Sequence, residues 1–166
     1  MVAAERSLEI DIIPVSDEGE LNLAEFDDLL DKHPKAVCVT HMSNVLGTVN
    51  PIAEMSAKAR AVGAIMVVDG AQSAPHLPVD VQELGADFFA FSGHKMMGPT
   101  GIGVLYVKRD ILESMEPFLR GGEMVLEVWN DRATWNDLPM RFEAGTPNIA
   151  DAIALGTAID YLTDLG

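Results

Sequence analysis

Residues 87–106 read DFFAFSGHKMMGPTGIGVLY, from Asp87 to Tyr106, and this stretch decides the fold. Phe88–Phe91 is a short apolar run of the kind that forms a buried strand. It passes directly into Ser92, Gly93, His94 and Lys95, then through a glycine-rich return (Gly98 to Gly103) into a second strand, Ile102–Val107. Upstream, Ala64–Val68 (AIMVV) is another buried strand, running into Asp69 with Gln72 three residues on. Farther upstream, Ala36–Thr40 (AVCVT) is a third, followed by the loop 43–50 that carries Asn44. Helices separate these strands. Asn22 caps one, with Glu25 completing a capping box and Leu23, Phe26, Leu29 and Leu30 as its apolar stripe. Pro51 opens another that runs to about Ala61, and Gly63 stops it.

Strands alternating with helices predict an α/β layer structure whose sheet is mostly parallel and flanked by helices. Strands in such sheets are expected to be covered on both faces, which places Cys38, between Val37 and Val39, in core packing. Ligands of these sheets sit beyond the carboxyl ends of the strands. Asn44, Asp69 and the segment from Ser92 to Lys95 all fall there, along one rim. Elsewhere, the alternation over residues 8–14 predicts a half-buried strand near the start. Val81–Leu84 reads as a short helix, Asp110–Met115 as a helical turn or two, and 120–147 as loop. Asn148 then caps a closing helix with Ile149, Ile153, Leu155, Ile159 and Leu162 on its apolar side.

The chain has 166 residues, enough for one domain with a core, and 48% are hydrophobic. Asp and Glu number 26 against 11 Lys and Arg, a formal charge of −15. That balance argues against nucleic-acid and anionic-membrane partners, which need clustered cations. No apolar run is long enough for a membrane span, and no signal peptide is evident at the start. The single cysteine allows no internal disulfide and suits a reducing cytoplasm. A strand almost at the start and a helix at the close predict a piece of something longer.

The polar residues on the rim can carry chemistry together. A lysine amine condenses with an aldehyde to a Schiff base, provided that burial or a neighbouring cation keeps it neutral often enough; His94 beside Lys95 serves that end. A carboxylate such as Asp69 facing a pyridine nitrogen keeps that nitrogen protonated, and Gln72 can donate to the ring hydroxyl. A ring so held is an electron sink, the working principle of pyridoxal phosphate. Ser92 and His94 suit a phosphate. Asn44 suits a carboxylate or the ring hydroxyl. Thr146, just before a helix N-terminus, also suits a phosphate. Each has a plainer reading: a solvated lysine, a turn-capping aspartate, an exposed glutamine, a core histidine, a turn asparagine beside Gly47, and a loop threonine. Arg120 can meet an anion or only an acidic neighbour. His76, between Pro75 and Pro78, reads as structural. The histidines His41, His76 and His94 have no recognisable metal-ligand spacing.

The segments THMSNVLGTVNPI, VVDGAQSAPHLPVDVQELGADFFAFSGHKMMGPTGIGVLY, RGGEM and FEAGTPNIADAIALGTAIDYL together resemble the class V aminotransferase family. Within it they are most similar to the cysteine desulfurases grouped with selenocysteine lyases. The resemblance implies the large domain of a fold-type-I transferase dependent on pyridoxal 5'-phosphate, with residues 1–166 as a partial domain, incomplete at both ends. An N-terminal segment and a C-terminal small domain, with its persulfide-forming cysteine, would lie outside. It also implies a homodimer, an amino-acid substrate and a sulfur-acceptor protein, in sulfur metabolism such as iron–sulfur cluster assembly. Lys95 matches the lysine bonded to the cofactor, Asp69 the partner of the pyridine nitrogen, and Gln72 that of the ring hydroxyl. Ser92 and His94 match phosphate ligands. Asn44 matches a residue near the ring hydroxyl and substrate carboxylate, and Thr146 one reaching the phosphate of the other subunit. The expected reaction takes L-cysteine or selenocysteine to L-alanine. The rivals are another class V aminotransferase or lyase reaction, and a non-catalytic domain that dimerises or binds a partner.

Overall fold

The computed structural model describes residues 2–166 and resolves into two compact units, the first ending at Phe89 and the second beginning at Ala90. Four strands are hydrogen-bonded in the order β1 (Ala36–Thr40), β2 (Ile65–Asp69), β3 (Phe88–Ser92) and β4 (Gly103–Val107). The architecture is α/β, with a mainly parallel sheet and flanking helices, as the strand–helix alternation predicts.

In the first unit, a short helix α1 (Val2–Glu5) precedes α2 (Leu23–Leu30), and α3 (Ile52–Ala61) lies between β1 and β2. β1 and β2 pair in parallel, from Ala36 opposite Ile65 to Thr40 opposite Asp69. α2 forms where its cap and stripe require. The Asn22 side chain accepts from the Glu25 amide at 3.2 Å, and Phe26 and Leu30, four apart, are buried. The return half of the capping box is replaced, because the Asn22 amide donates to the Pro14 carbonyl at 2.9 Å. α3 buries Ile52, Met55, Ser56 and Ala59. Lys58 ties the two helices, reaching Asp27 at 2.8 Å and Glu54 at 3.0 Å. β3 begins beside β2, where Asp87 accepts from the Met66 amide through Oδ2 at 2.7 Å and returns its own amide to the Met66 carbonyl at 3.0 Å.

Three expectations for this unit change. Residues 8–14 form no strand: Ile10 and Ile12 are exposed, and only Val15 makes a bridge, to Leu21. Alternation predicts a strand only where a partner supplies a ladder, and none pairs with this segment among the described residues. Val81–Leu84 is a set of turns rather than a helix. There Asp80 Oδ1 accepts from the amides of Gln82 and Glu83, so a side chain satisfies donors early. Finally, β1 and β2 are covered on one face only. Val37, Val39, Met66 and Val68 are buried, whereas Cys38 and Ile65 are exposed. Cys38 is therefore not core packing; a period of two sends it to the face opposite its valine neighbours.

In the second unit, β4 leads into α4 (Arg109–Ser114), close to the expected helical turns. The expected loop 120–147 instead contains an antiparallel hairpin of β5 (Val125–Val128) and β6 (Ala133–Trp135), then a 3-10 turn at Met140–Phe142. An irregularity between Val125 and Glu127 interrupts the period that sequence reading relies on. Arg141 donates to the carbonyls that close α4, 2.7 Å from Met115 O and 3.4 Å from Glu113 O. The closing helix α5 (Ile149–Leu165) is capped by Asn148, which accepts from the Asp151 amide at 3.4 Å. Its buried residues are Leu155 and Ala158, while Ile149, Ile153 and Ile159 of the predicted apolar side are exposed. No helix of the described residues is long and apolar enough to cross a membrane.

Candidate functional site

Asp69 is the last residue of β2, and its turn is held from several sides. Its carbonyl accepts from the His41 amide at 2.8 Å, and its Oδ1 accepts from the Ala71 amide at 2.9 Å. The second bond is the closure that a turn-capping aspartate makes, and it restrains the carboxylate's orientation. Gln72 lies in the same turn. Its carbonyl oxygen is 2.6 Å from His76 Nδ1, which gives His76 the structural place that its proline neighbours predict. Ser73 is fully buried and donates to the Gly70 carbonyl at 3.4 Å. Asn44 follows β1 in an exposed loop closed by the Ser43 hydroxyl, which accepts from the amides of Val45 and Leu46. His41 is buried, and burial alone pushes its imidazole below the ordinary range. Asn44, Asp69 and Gln72 are thus presented by the first unit from the ends of two paired strands.

The second unit presents Ser92, His94 and Lys95. Ser92 ends β3, and Gly93–Lys95 is a single 3-10 turn. The Ser92 hydroxyl makes no capping bond to that turn. The backbone here is tightly closed. Gly93 donates to Ile102 O at 2.8 Å, and its own carbonyl accepts from Met96 at 3.0 Å and Gly98 at 2.9 Å. A β-carbon on Gly98 would stand 2.9 Å from the Gly93 oxygen and 3.1 Å from Leu155 Cδ1, so only glycine allows the return to pass. Met97 is held at φ +60°, a conformation that costs a residue with a β-carbon about 1–2 kcal/mol. Side chains of the turn are freer: His94 and Lys95 are both exposed. The desolvation expected around Lys95 is not supplied by the described residues.

Thr146 is exposed in the loop before α5. Two contacts place that loop: the Gly145 amide donates to Gly122 O at 2.9 Å, and Asn148 Nδ2 reaches Gly101 O at 3.4 Å. The second ties the start of α5 to the glycine-rich return behind Lys95. The Arg120 guanidinium lies 5.5 Å over the Trp135 ring, and no ion pair to an acid is found for it among the described residues. Among the described residues, no group of three or more His, Cys, Asp or Glu could hold a metal ion.

The family model for aminotransferase class-V matches residues 1–166. The chain belongs to that family. It is 53% identical over 165 residues to a cysteine desulfurase of Haloferax volcanii, covering 99% of this chain and 39% of that protein. It is 55% identical over 154 residues to a probable cysteine desulfurase of Halalkalibacterium halodurans, covering 93% and 38%. Among solved structures, the apo cysteine desulfurase of Thermococcus onnurineus NA1 matches with a TM-score of 0.95 and 44% identity, over 99% of this chain and 41% of that one. The cysteine desulfurase CsdA of Escherichia coli, in its S-sulfonic acid form, matches with a TM-score of 0.93 and 42% identity, over 98% and 41%. The chain spans about two fifths of the length of these relatives.

Members of this family depend on pyridoxal phosphate, and the residues present fit that group. An acid and two amides suit a ring nitrogen and hydroxyl. The Ser92 hydroxyl and the imidazole of His94 suit a phosphate. Lys95 suits an aldehyde, in a turn whose backbone is tight against Gly93 and Gly98. Sequence reasoning missed the support beneath Asp69: Gly70, Phe89 and His41. FFAF is apolar throughout, so nothing in it says which ring meets the turn after β2.

Proposed function

We propose that this chain supplies the cofactor-binding core of a pyridoxal phosphate-dependent cysteine desulfurase, which takes L-cysteine to L-alanine and passes sulfur to an acceptor. What carries this reading is the 53% identity over 165 residues to a cysteine desulfurase, a match that spans Asp69 and Lys95 together; the bond from the Ala71 amide to Asp69 is one that any turn-capping aspartate makes. Identities of 53% and 55% to cysteine desulfurases support the choice of reaction over others in the family.

When bound, the cofactor supplies an electron sink for the substrate's α-carbon. Asp69 would hold a proton on the ring nitrogen, and Gln72 would donate to the ring hydroxyl. Ser92, His94 and Thr146, the last from a second subunit, would bind the phosphate. Asn44 would orient the substrate carboxylate. Lys95, exposed and on a flexible stem, would hold the cofactor at its Nζ and then move a proton with the same atom. Residues 1–166 would be part of the large domain, completed by an N-terminal segment and a small domain. Selenocysteine is a second substrate consistent with this donor set. A homodimer is what the resemblance implies, with Thr146 supplied to the phosphate of the other subunit. A reducing cytoplasm suits an enzyme that handles sulfur on a thiol, and a route to iron–sulfur cluster assembly fits a sulfur donor.

Borohydride reduction of the full-length, cofactor-loaded protein tests the reading. The expected result is a stable cofactor label on the peptide containing Lys95, with alanine formed from L-cysteine by the unreduced protein and the transferred sulfur released as sulfide only by an added thiol reductant, which is oxidised to its disulfide. A label elsewhere, or an amino-acid product other than alanine, overturns it.

A further inference from the structure

We propose that Phe89 is a positioning residue for Asp69, and that glycine stands at position 70 so that the Phe89 ring can form the floor of the turn carrying that carboxylate. The inference rests on the reading of Asp69 as partner of the ring nitrogen. Phe89 is 2% exposed. Its ring lies so close under Gly70 that a β-carbon there would stand 2.7 Å from Cε2 and nearer still to Cζ and Cε1. Real β-carbons do not approach ring atoms so closely, so an added methyl would move either the ring or the turn. The ring has little room, because its edge meets His41 with centroids 6.4 Å apart and planes at 77°. His41 is itself buried, and its amide holds the Asp69 carbonyl.

A displaced turn carries the carboxylate with it. The Gly70 carbonyl accepts from the Ala74 amide at 2.9 Å and from Ser73 Oγ at 3.4 Å, so Gly70 anchors the turn on its far side. Ala71, the next residue, supplies the amide that orients Asp69 Oδ1. Raising Gly70 therefore shifts the donor that selects the carboxylate's rotamer. Ring floor, glycine, amide and carboxylate form one mechanical series, all within the first unit.

The test uses the full-length protein loaded with cofactor labelled with nitrogen-15 in its ring, and four variants: Gly70→Ala, Phe89→Leu, the double variant and Asp69→Asn. The ring-nitrogen shift reports its protonation, cofactor affinity reports binding, and thermal melts report folding. Gly70→Ala is expected to move the nitrogen signal toward the unprotonated form and to weaken cofactor binding on the order of ten- to a hundredfold, as misplaced site groups do. The double variant, whose leucine vacates the space of the ring, is expected to recover most of both. Phe89→Leu alone is expected to shift or broaden the signal, which keeps the proposal open to refutation if Gly70→Ala does not fold. Recovery of the melting temperature without recovery of the nitrogen signal overturns it, as does an unchanged signal in Phe89→Leu. If Asp69→Asn loses the protonated signal while Gly70→Ala keeps it, the positioning role alone fails. If Asp69→Asn keeps that signal, the underlying reading of Asp69 fails too.

Discussion

The turn that carries Asp69 and the turn that carries Lys95 are built differently. The first is fixed through its side chains as well as its backbone: the carboxylate takes an amide, Ser73 is fully buried and bonded, a buried ring lies against Gly70, and the Asp69 and Gly70 carbonyls accept from the His41 and Ala74 amides. The second is fixed through its backbone: Gly93 alone joins three main-chain hydrogen bonds, while the side chains of His94 and Lys95 stay exposed. The difference matches the tasks proposed for the two groups. A carboxylate that stabilises a ring charge gains from having one orientation, because preorganised groups need not reorganise during reaction. A lysine that must bind the cofactor and then carry a proton needs a firm base and a mobile tip.

The largest effect that could break this comparison is chemical. Lys95→Ala in the full-length protein should lower kcat by about 10²- to 10⁴-fold, the range for a lost acid–base group. Because its side chain is exposed, stability should change by less than about 0.5 kcal/mol; a large fall in melting temperature would show that the lysine turn is also braced through its side chain. Next comes the packing beneath β2. Met66 is 1% exposed, and Met66→Ala should destabilise by about 2–5 kcal/mol in denaturant melts. Cys38→Ser, on the open face of β1, should shift those melts by no more than about 0.5 kcal/mol. Removing the helix cap with Asn148→Ala should cost about 0.5–2 kcal/mol. Hydrogen exchange should place the loosening at the start of α5 and in the return around Gly101.

The smallest effect concerns pH. Burial holds the His41 imidazole below its ordinary value of 6.5, so the unfolded chain binds a proton that the folded chain refuses. Stability should be fully present above that value and should fall as the pH drops below it. His41→Leu should flatten this part of the pH–stability profile, and an unflattened profile would assign the loss to other groups.

Much of the molecule is legible in residue order. The stripe Leu23, Phe26, Leu29 and Leu30 lies on the covered side of α2, with Phe26 and Leu30 fully buried. AVCVT and IMVVD form the parallel pair, and the polar residues fall after strand ends. Local patterns suffice there because cap, period and strand composition act over a few residues. They fail where a partner decides. Residues 8–14 alternate without a ladder, and the hairpin 125–135 forms despite an interrupted period.

The amino-acid order by itself determined β1 to β4 and the helices α2, α3 and α5, which rest on local periodicity and capping, and the family, which rests on the resemblance of whole segments. Only the tertiary structure decided which face of each strand is covered, that Cys38 lies outside, and that Phe89 lies beneath Gly70. Burial and close approach are properties of segments far apart in the chain, and they are fixed only when the sheet and helices pack.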